Sequence, residues 1–261
     1  MDISFITIMI IIGAITGIVT GVTGASGVMI FVPLVSMVLK FSIHEAIGTS
    51  LMVNVISSLA ITYIYYKHGN INLKSGIWIA IGSIIGAQVG TGFSVKIPEI
   101  SLGAAFGIFM AGMGIAMWKK GINRESVAST TKKILNLETQ TQKIMAVLIL
   151  GFFVGIMTGI FGAGGGVMIL LILIFVLNFP IHMAIGTSSL LMTITACSGA
   201  FGYALHGNIR ILPGLITGIS AAGSGVAGAL FANRANEQIL AMVIGILYIM
   251  LGIVMTILSL W

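Results

Sequence analysis

The sequence predicts an all-α polytopic membrane protein made of two inverted-topology repeats, each of about five helical segments with broken or short helices. Two observations predict it. The 261-residue chain is 58% hydrophobic and only 7% charged, with a mean hydropathy of +1.17, whereas a soluble domain carries roughly 25% charged residues. That deficit suits lipid rather than water as the surrounding solvent. The second observation is an internal duplication, which sets the order of the elements.

Gly17-Ile18-Val19-Thr20-Gly21 reappears as Gly155-Ile156-Met157-Thr158-Gly159. The glycine-rich stretch Gly24 to Met29 answers to Gly162 to Met168, with one extra glycine. His44-Glu45-Ala46-Ile47-Gly48-Thr49-Ser50 matches His182-Met183-Ala184-Ile185-Gly186-Thr187-Ser188. His68-Gly69-Asn70-Ile71 matches His206-Gly207-Asn208-Ile209, so all four histidines fall into two repeat pairs.

The first repeat, 1–118, holds apolar segments at about 4–21, 28–40, 46–66, 75–94 and 101–118. The second, 144–261, holds them at about 144–160, 167–179, 184–205, 212–231 and 239–260. Asp2 stands where a signal peptide would be basic, and the first segment has a counterpart in the second repeat, so it is read as retained. Residues 119–143 form a polar linker. The second and seventh segments have about 13 residues, roughly 20 Å of helix against a hydrocarbon core of about 30 Å. Each follows a glycine-rich break, and short interrupted segments at matching places in two halves point to a transporter binding site. Segments one and two either span separately or form a re-entrant hairpin.

Basic residues orient the chain. The linker carries Lys119, Lys120, Arg124, Lys132, Lys133 and Lys143, and is therefore placed in the cytoplasm. Five segments per repeat put Lys67, Lys74 and Arg234 on the same side and leave Lys40, Lys96 and Arg210 outside. An odd number of segments makes the two repeats enter the membrane from opposite faces, with both termini outside. The charge pattern contains no basic run long enough for a nucleic-acid arm. Cys197, the single cysteine, excludes an internal disulfide and reads as a packing residue.

Three sets of residues have chemistry to offer. At the glycine breaks, Gly24, Ser26 and Gly27 in one repeat and Gly162, Gly164 and Gly165 in the other, a restarting helix presents free N–H groups and a positive dipole end to an anion. Close helix packing is the competing reading. The hydroxyls of Thr49, Ser50, Thr187, Ser188 and Ser189, with the amide of Asn54, can donate to an anion without a buried charge; alternatively they bond helix carbonyls. His44, His182, His68 and His206 are proton or anion contacts, or simply helix-end residues. A zinc-protease motif is excluded because Gly48 stands where its second histidine belongs, and the glycine runs lack the lysine of a P-loop. No metal site, cofactor or nucleophile–base pair is legible, so the chain reads as a non-enzyme.

The order of these elements, repeated twice from about Ile3 to Trp261, resembles the sulfite exporter TauE/SafE family of membrane transporters. The resemblance implies movement of a small anion, a sulfur oxyanion or organosulfonate such as sulfite, thiosulfate or sulfoacetate. It implies substrate contacts at Gly24, Ser26, Gly27, Thr49 and Ser50, and at Gly162, Gly164, Gly165, Thr187 and Ser188. Two departures stand out: Leu51 aligns with Ser189, and Asn54 with Met192. The expected mechanism is alternating access, with an anion held near the midplane between two inverted halves. No acidic residue lies deep in a span, so uniport, proton coupling and sodium coupling all stay open. The alternative is a passive anion channel. The partners are the anion and the lipid bilayer, without nucleic acid, and the composition is compatible with a homo-oligomer in the cell membrane.

Overall fold

A computed structural model describes residues 3–23, 27–120, 139–162, 165–177, 179, 181–232 and 237–260. Among these residues there are ten helices and no strand. They are α1 (Ile3–Thr23), α2 (Val28–Leu39), α3 (Ile43–Lys67), α4 (Leu73–Ser94) and α5 (Glu99–Lys120) in the first repeat. In the second repeat they are α6 (Gln140–Phe161), α7 (Gly165–Phe175), α8 (Ile181–Leu205), α9 (Ile211–Ala232) and α10 (Glu237–Leu260). Six helices, α1, α3, α4, α6, α8 and α9, are long and apolar enough to cross a membrane among the described residues. With this composition the chain is a multi-pass membrane protein.

Every expected segment is a helix, and the differences are at the ends. The helix α3 begins three residues before the expected apolar run because Ser42 and Glu45 form a capping box there. Similarly, Thr139 and Gln142 start α6 within the polar stretch assigned to the linker, and α5 runs on to Lys120. Positions 121–138 of that linker lie outside the described residues. The helices α2 and α7 have 12 and 11 residues, about 16–18 Å at 1.5 Å per residue.

Two pairs of equivalent helices, α3 with α8 and α5 with α10, pack on each other in opposite directions. Along α3 and α8, Gly48 meets Tyr203, Leu51 meets Gly199, Ser58 meets Thr193 and Tyr65 meets Gly186. The numbers rise on one helix as they fall on the other. The same holds for α5 and α10, where Gly103 meets Ser259 and Gly114 meets Ile249. By contrast, α1 runs parallel to α9 (Gly13 on Thr217, Gly17 on Ala221), and α4 runs parallel to α6 (Ile79 on Gly151, Ser83 on Gly155). In these two parallel seams the glycines let one backbone lie against the other, the small-residue packing that stands in for a hydrophobic drive in lipid.

The repeats are therefore interlaced. One buried cluster joins α4 of the first repeat to α6, α7 and α8 of the second: Ile79, Ala80, Val154, Ile169, Leu173, Ala184 and Leu191 belong to it. The other joins α1, α2 and α3 to Ala221 of α9 and to Ala196 and Tyr203 of α8, with α5 and α10 packed on it through Leu102, Phe106, Tyr248 and Met255. Each cluster thus combines helices of one repeat with the fourth helix of the other, and α8 enters both.

The antiparallel order predicts a crosslink. In a Cys197→Ser background, the Gly103→Cys/Ser259→Cys pair should oxidise to a disulfide, because a Cβ at Gly103 stands 3.2 Å from the Ser259 Cβ, close to the roughly 3.5–4.5 Å that a disulfide needs. Gly103→Cys with Met242→Cys, which lies near the opposite end of α10, should stay reduced. The check is a mobility shift on non-reducing gels.

Candidate functional site: the crossing of α3 and α8

The His-Gly-Asn element ends a helix. Gly69 and Gly207 take φ of +70° and +71°, Asn70 N–H donates to the Tyr65 carbonyl, and Asn208 N–H donates to the Tyr203 carbonyl. This is the Schellman closure, which calls for a left-handed glycine. His68 and His206 cap the same ends, each with Nδ1 on the carbonyl four residues back, Ile64 at 2.7 Å and Gly202 at 2.8 Å. Both are exposed helix-end residues.

Each turn then docks on the Gly-Thr-Ser element of the other repeat. Arg210 N–H donates to Thr49 Oγ1 at 3.0 Å, and Asn72 N–H donates to Thr187 Oγ1 at 3.0 Å. Gly48 lies under the Asn208 carbonyl and Gly186 under the Asn70 carbonyl, where a methyl group would overlap the oxygen. Thr49 and Thr187 are fully buried. At one end only, an ion pair joins the clasp: Arg210 bonds Glu45 through Nε and Nη2, both at 2.8 Å. The equivalent positions at the other end are Asn72 and Met183.

The break between α6 and α7 faces the first repeat's hydroxyls. Gly162 closes α6 with φ of +67°, and a Cβ there would stand 2.7 Å from Ser50 Oγ. Ser50 Oγ donates to the Ile47 carbonyl at 2.6 Å. Behind the break before α2, Gly27 N–H donates to Thr20 Oγ1 at 2.9 Å. In the second repeat, Thr158 Oγ1 lies 2.8 Å from where a Cβ of Gly165 would be. Thr20 and Thr158 were not singled out by sequence, although both stand inside the repeated Gly-Ile-x-Thr-Gly string. Gly24, Ser26 and Gly164, expected at these breaks, lie outside the described residues, as does the side chain of His182.

The antiparallel run keeps the two triplets apart. Ser50 lies level with about residue 201 of α8, so it is about 13 residues from Ser188, roughly 20 Å along the pair. A single small anion does not touch both. Between them lies a run of hydroxyls: Ser57 and Ser58 donate to the Asn54 carbonyl, Ser58 Oγ is 2.7 Å from Thr193 Oγ1, and Thr195 Oγ1 donates to Ser83 Oγ at 2.7 Å. Asn54, Ser188 and Ser189 are buried beside them. The fourth histidine, His44, sits outside this run. Its Nε2 is 3.0 Å from the Ser94 carbonyl and its Nδ1 3.6 Å from Glu99 Oε1. Among the described residues no three metal-binding side chains gather.

The family described as sulfite exporter TauE/SafE matches residues 9–255. Similar relatives include the "Probable membrane transporter protein YunE" of Bacillus subtilis, 26% identical over 94% of this chain and 95% of its own length. The "Probable membrane transporter protein YdhB" of the same organism is 26% identical, covering 89% and 93%. One from Methanocaldococcus jannaschii, "Probable membrane transporter protein MJ0441", is 28% identical over 75% of this chain and 71% of its own. No solved structure matches the chain.

The clasp predicts matched losses. Thr49→Val and Thr187→Val each strand a backbone N–H, at a cost of about 1–3 kcal/mol. Thr→Ser at either position should hold wild-type stability. Thermal unfolding in detergent checks both; valine variants as stable as wild type would remove the clasp as a stabilising contact.

Proposed function

This chain belongs to the sulfite exporter TauE/SafE family, and from that premise we propose that it is a secondary transporter of a small anion, a sulfur oxyanion or organosulfonate, working by alternating access. The observation that carries the proposal is the meeting of two interlaced helix bodies across α3 and α8, along a face rich in buried hydroxyls. Movement of one body against the other along that face would expose it to either side. The antiparallel run of equivalent helices supports an inverted-topology repeat. The excess of basic residues in and around the linker supports a cytoplasmic linker.

The proposed anion contacts group by end. Ser50, Asn54, Gly162 and Gly165 serve one end of the face, with Thr49 holding the clasp behind them. Ser188 and Ser189 serve the other end, with Thr187 in the matching clasp. Gly27 joins them through the break before α2. Gly24, Ser26 and Gly164 enter on the sequence alone. Neutral hydroxyls and helix N-termini bind an anion without the penalty of a buried cation in lipid.

Flux into proteoliposomes tests the proposal, with sulfite, thiosulfate, sulfate, sulfoacetate and simple carboxylates offered with and without a pH gradient. Saturable flux of a sulfur anion at transporter turnover is expected. Channel-scale current in electrical recording would replace the transporter reading with a passive pore. Gly162→Ala, strained at positive φ and crowded by Ser50, should reduce flux at least tenfold in protein that still inserts. For orientation, Arg124→Cys should stay unlabelled by an impermeant thiol reagent in intact cells; labelling would reverse the topology.

A further inference from the structure

The chain passes from one helix cluster to the other in the short turn between α4 and α5. The helix α4 packs with α6, α7 and α8 through Ile79 and Ala80, whereas α5 packs with α1, α2 and α3 through Leu102 and Phe106. In the second repeat the matching helices, α9 and α10, both pack in that one cluster through Ala221, Tyr248 and Met255. The α4–α5 turn is therefore a place where movement between the bodies must be taken up by the chain.

His44, buried in the first turn of α3, reaches both sides of this turn. Its Nε2 is 3.0 Å from the carbonyl of Ser94, the last residue of α4, and its Nδ1 is 3.6 Å from Oε1 of Glu99, the first residue of α5. The Ser94 side chain carries the contact inward. Its Oγ is 2.6 Å from the Tyr203 hydroxyl on α8 and 3.3 Å from the Ile160 carbonyl, two residues before the Gly162 break. The duplication repeats the pair in sequence as His182 with Glu237, but Ala232 stands where Ser94 does.

A carbonyl oxygen only accepts, so Nε2 of His44 carries a hydrogen. In the neutral ring that leaves Nδ1 as a bare acceptor turned toward a carboxylate oxygen, which is another acceptor. A second proton turns the same contact into a charge-assisted pair. Glu99 stands at the N-terminus of α5, where a carboxylate suits the helix dipole. The other charged or titratable groups around His44 do not compete for it. Glu45 is held by Arg210 and the Ser42 N–H, Tyr203 by Ser94, and His206 by the Gly202 carbonyl. Lys40 follows α2, and Lys96 lies exposed in the α4–α5 turn itself. No charged side chain lies on α6 after Lys143 or on α10 after Glu237.

Resting on the proposal that the two bodies move against each other in anion transport, we infer that His44 is a proton-operated strap across the α4–α5 turn. With the ring charged, it ties the end of α4 and the start of α5 to α3 and slows the movement. With the ring neutral, the Glu99 contact is lost and the turn is freed. Histidine is the side chain that ordinarily changes charge between about pH 5 and 8, so the strap closes on acidification.

Methanesulfonate flux tests this, because that anion keeps one charge across the range and brings no pH profile of its own; sulfate, constant there too, replaces it if it is not carried. With equal pH on both sides of the proteoliposome, wild-type initial flux should be at least about threefold slower at about pH 5.5 than at about pH 8. His44→Gln and Glu99→Gln should each run at the wild-type alkaline rate at both values, and Lys96→Gln should keep the wild-type profile. Melting temperature in detergent gives a reading independent of flux. Wild type should melt several degrees above Glu99→Gln at the acidic value and level with it at the alkaline one, since the pair is present with the ring charged and lost as pH rises. Should His44→Gln not fold, Glu99→Gln decides alone, its side chain being 53% exposed. Parallel melting profiles for wild type and Glu99→Gln would overturn the strap, as would wild-type flux equal at the two values or a flux difference that survives Glu99→Gln. Absence of flux for every anion in wild type would instead overturn the transport reading, and melting would still decide the strap.

Discussion

A backbone N–H left without an acceptor at a helix packing site costs about 1–3 kcal/mol, and the way this chain satisfies two of them joins its two repeats. The N–H groups of Asn72 and Arg210, where one helix has ended and the next begins, are each taken by a threonine from the opposite repeat. Gly48 and Gly186 admit the neighbouring carbonyls. The two contacts are reciprocal, so α3 and α8 must run antiparallel, each carrying the other's turn. From that crossing the remaining helices take their partners.

Interlacing is the main consequence. Because the turn after α3 lies on α8, α4 emerges beside the second repeat and joins α6, α7 and α8. Likewise α9 emerges beside α1, α2 and α3. The bodies that could move are therefore not the sequence repeats. Such a body shares its longest seams with helices of the other repeat, packed backbone to backbone through glycine. Along the α3–α8 face, by contrast, the contacts include paired hydroxyls such as Ser58 with Thr193.

The duplicated clasps stand at both ends of this face, and the ends differ in what lies beside them. The paired clasps keep their threonines, glycines and turns. The ion pair of Glu45 with Arg210 stands at the Gly48 end alone, on the side of the apolar Val55 and Ala196, while the hydroxyls of Ser58 and Thr193 lie toward the other.

The sequence by itself determined the ten helices, the two short ones and the breaks before them. Hydropathy over a span, Ser42 and Thr139 as caps, and the left-handed Gly69 and Gly207 all act within a few residues. It also held the right motifs: the Gly-Thr-Ser and His-Gly-Asn-Ile elements are the two halves of the clasp. Their partnership was decided by the tertiary structure, because Thr49 and Arg210 are 161 positions apart and nothing local specifies the match. The antiparallel run also separated the two triplets, which motif equivalence alone would bring to one anion. Ser58 and Thr193 carry no mark in the duplication, because their repeat equivalents, Ala196 and Val55, are apolar; only the packing brings their hydroxyls together.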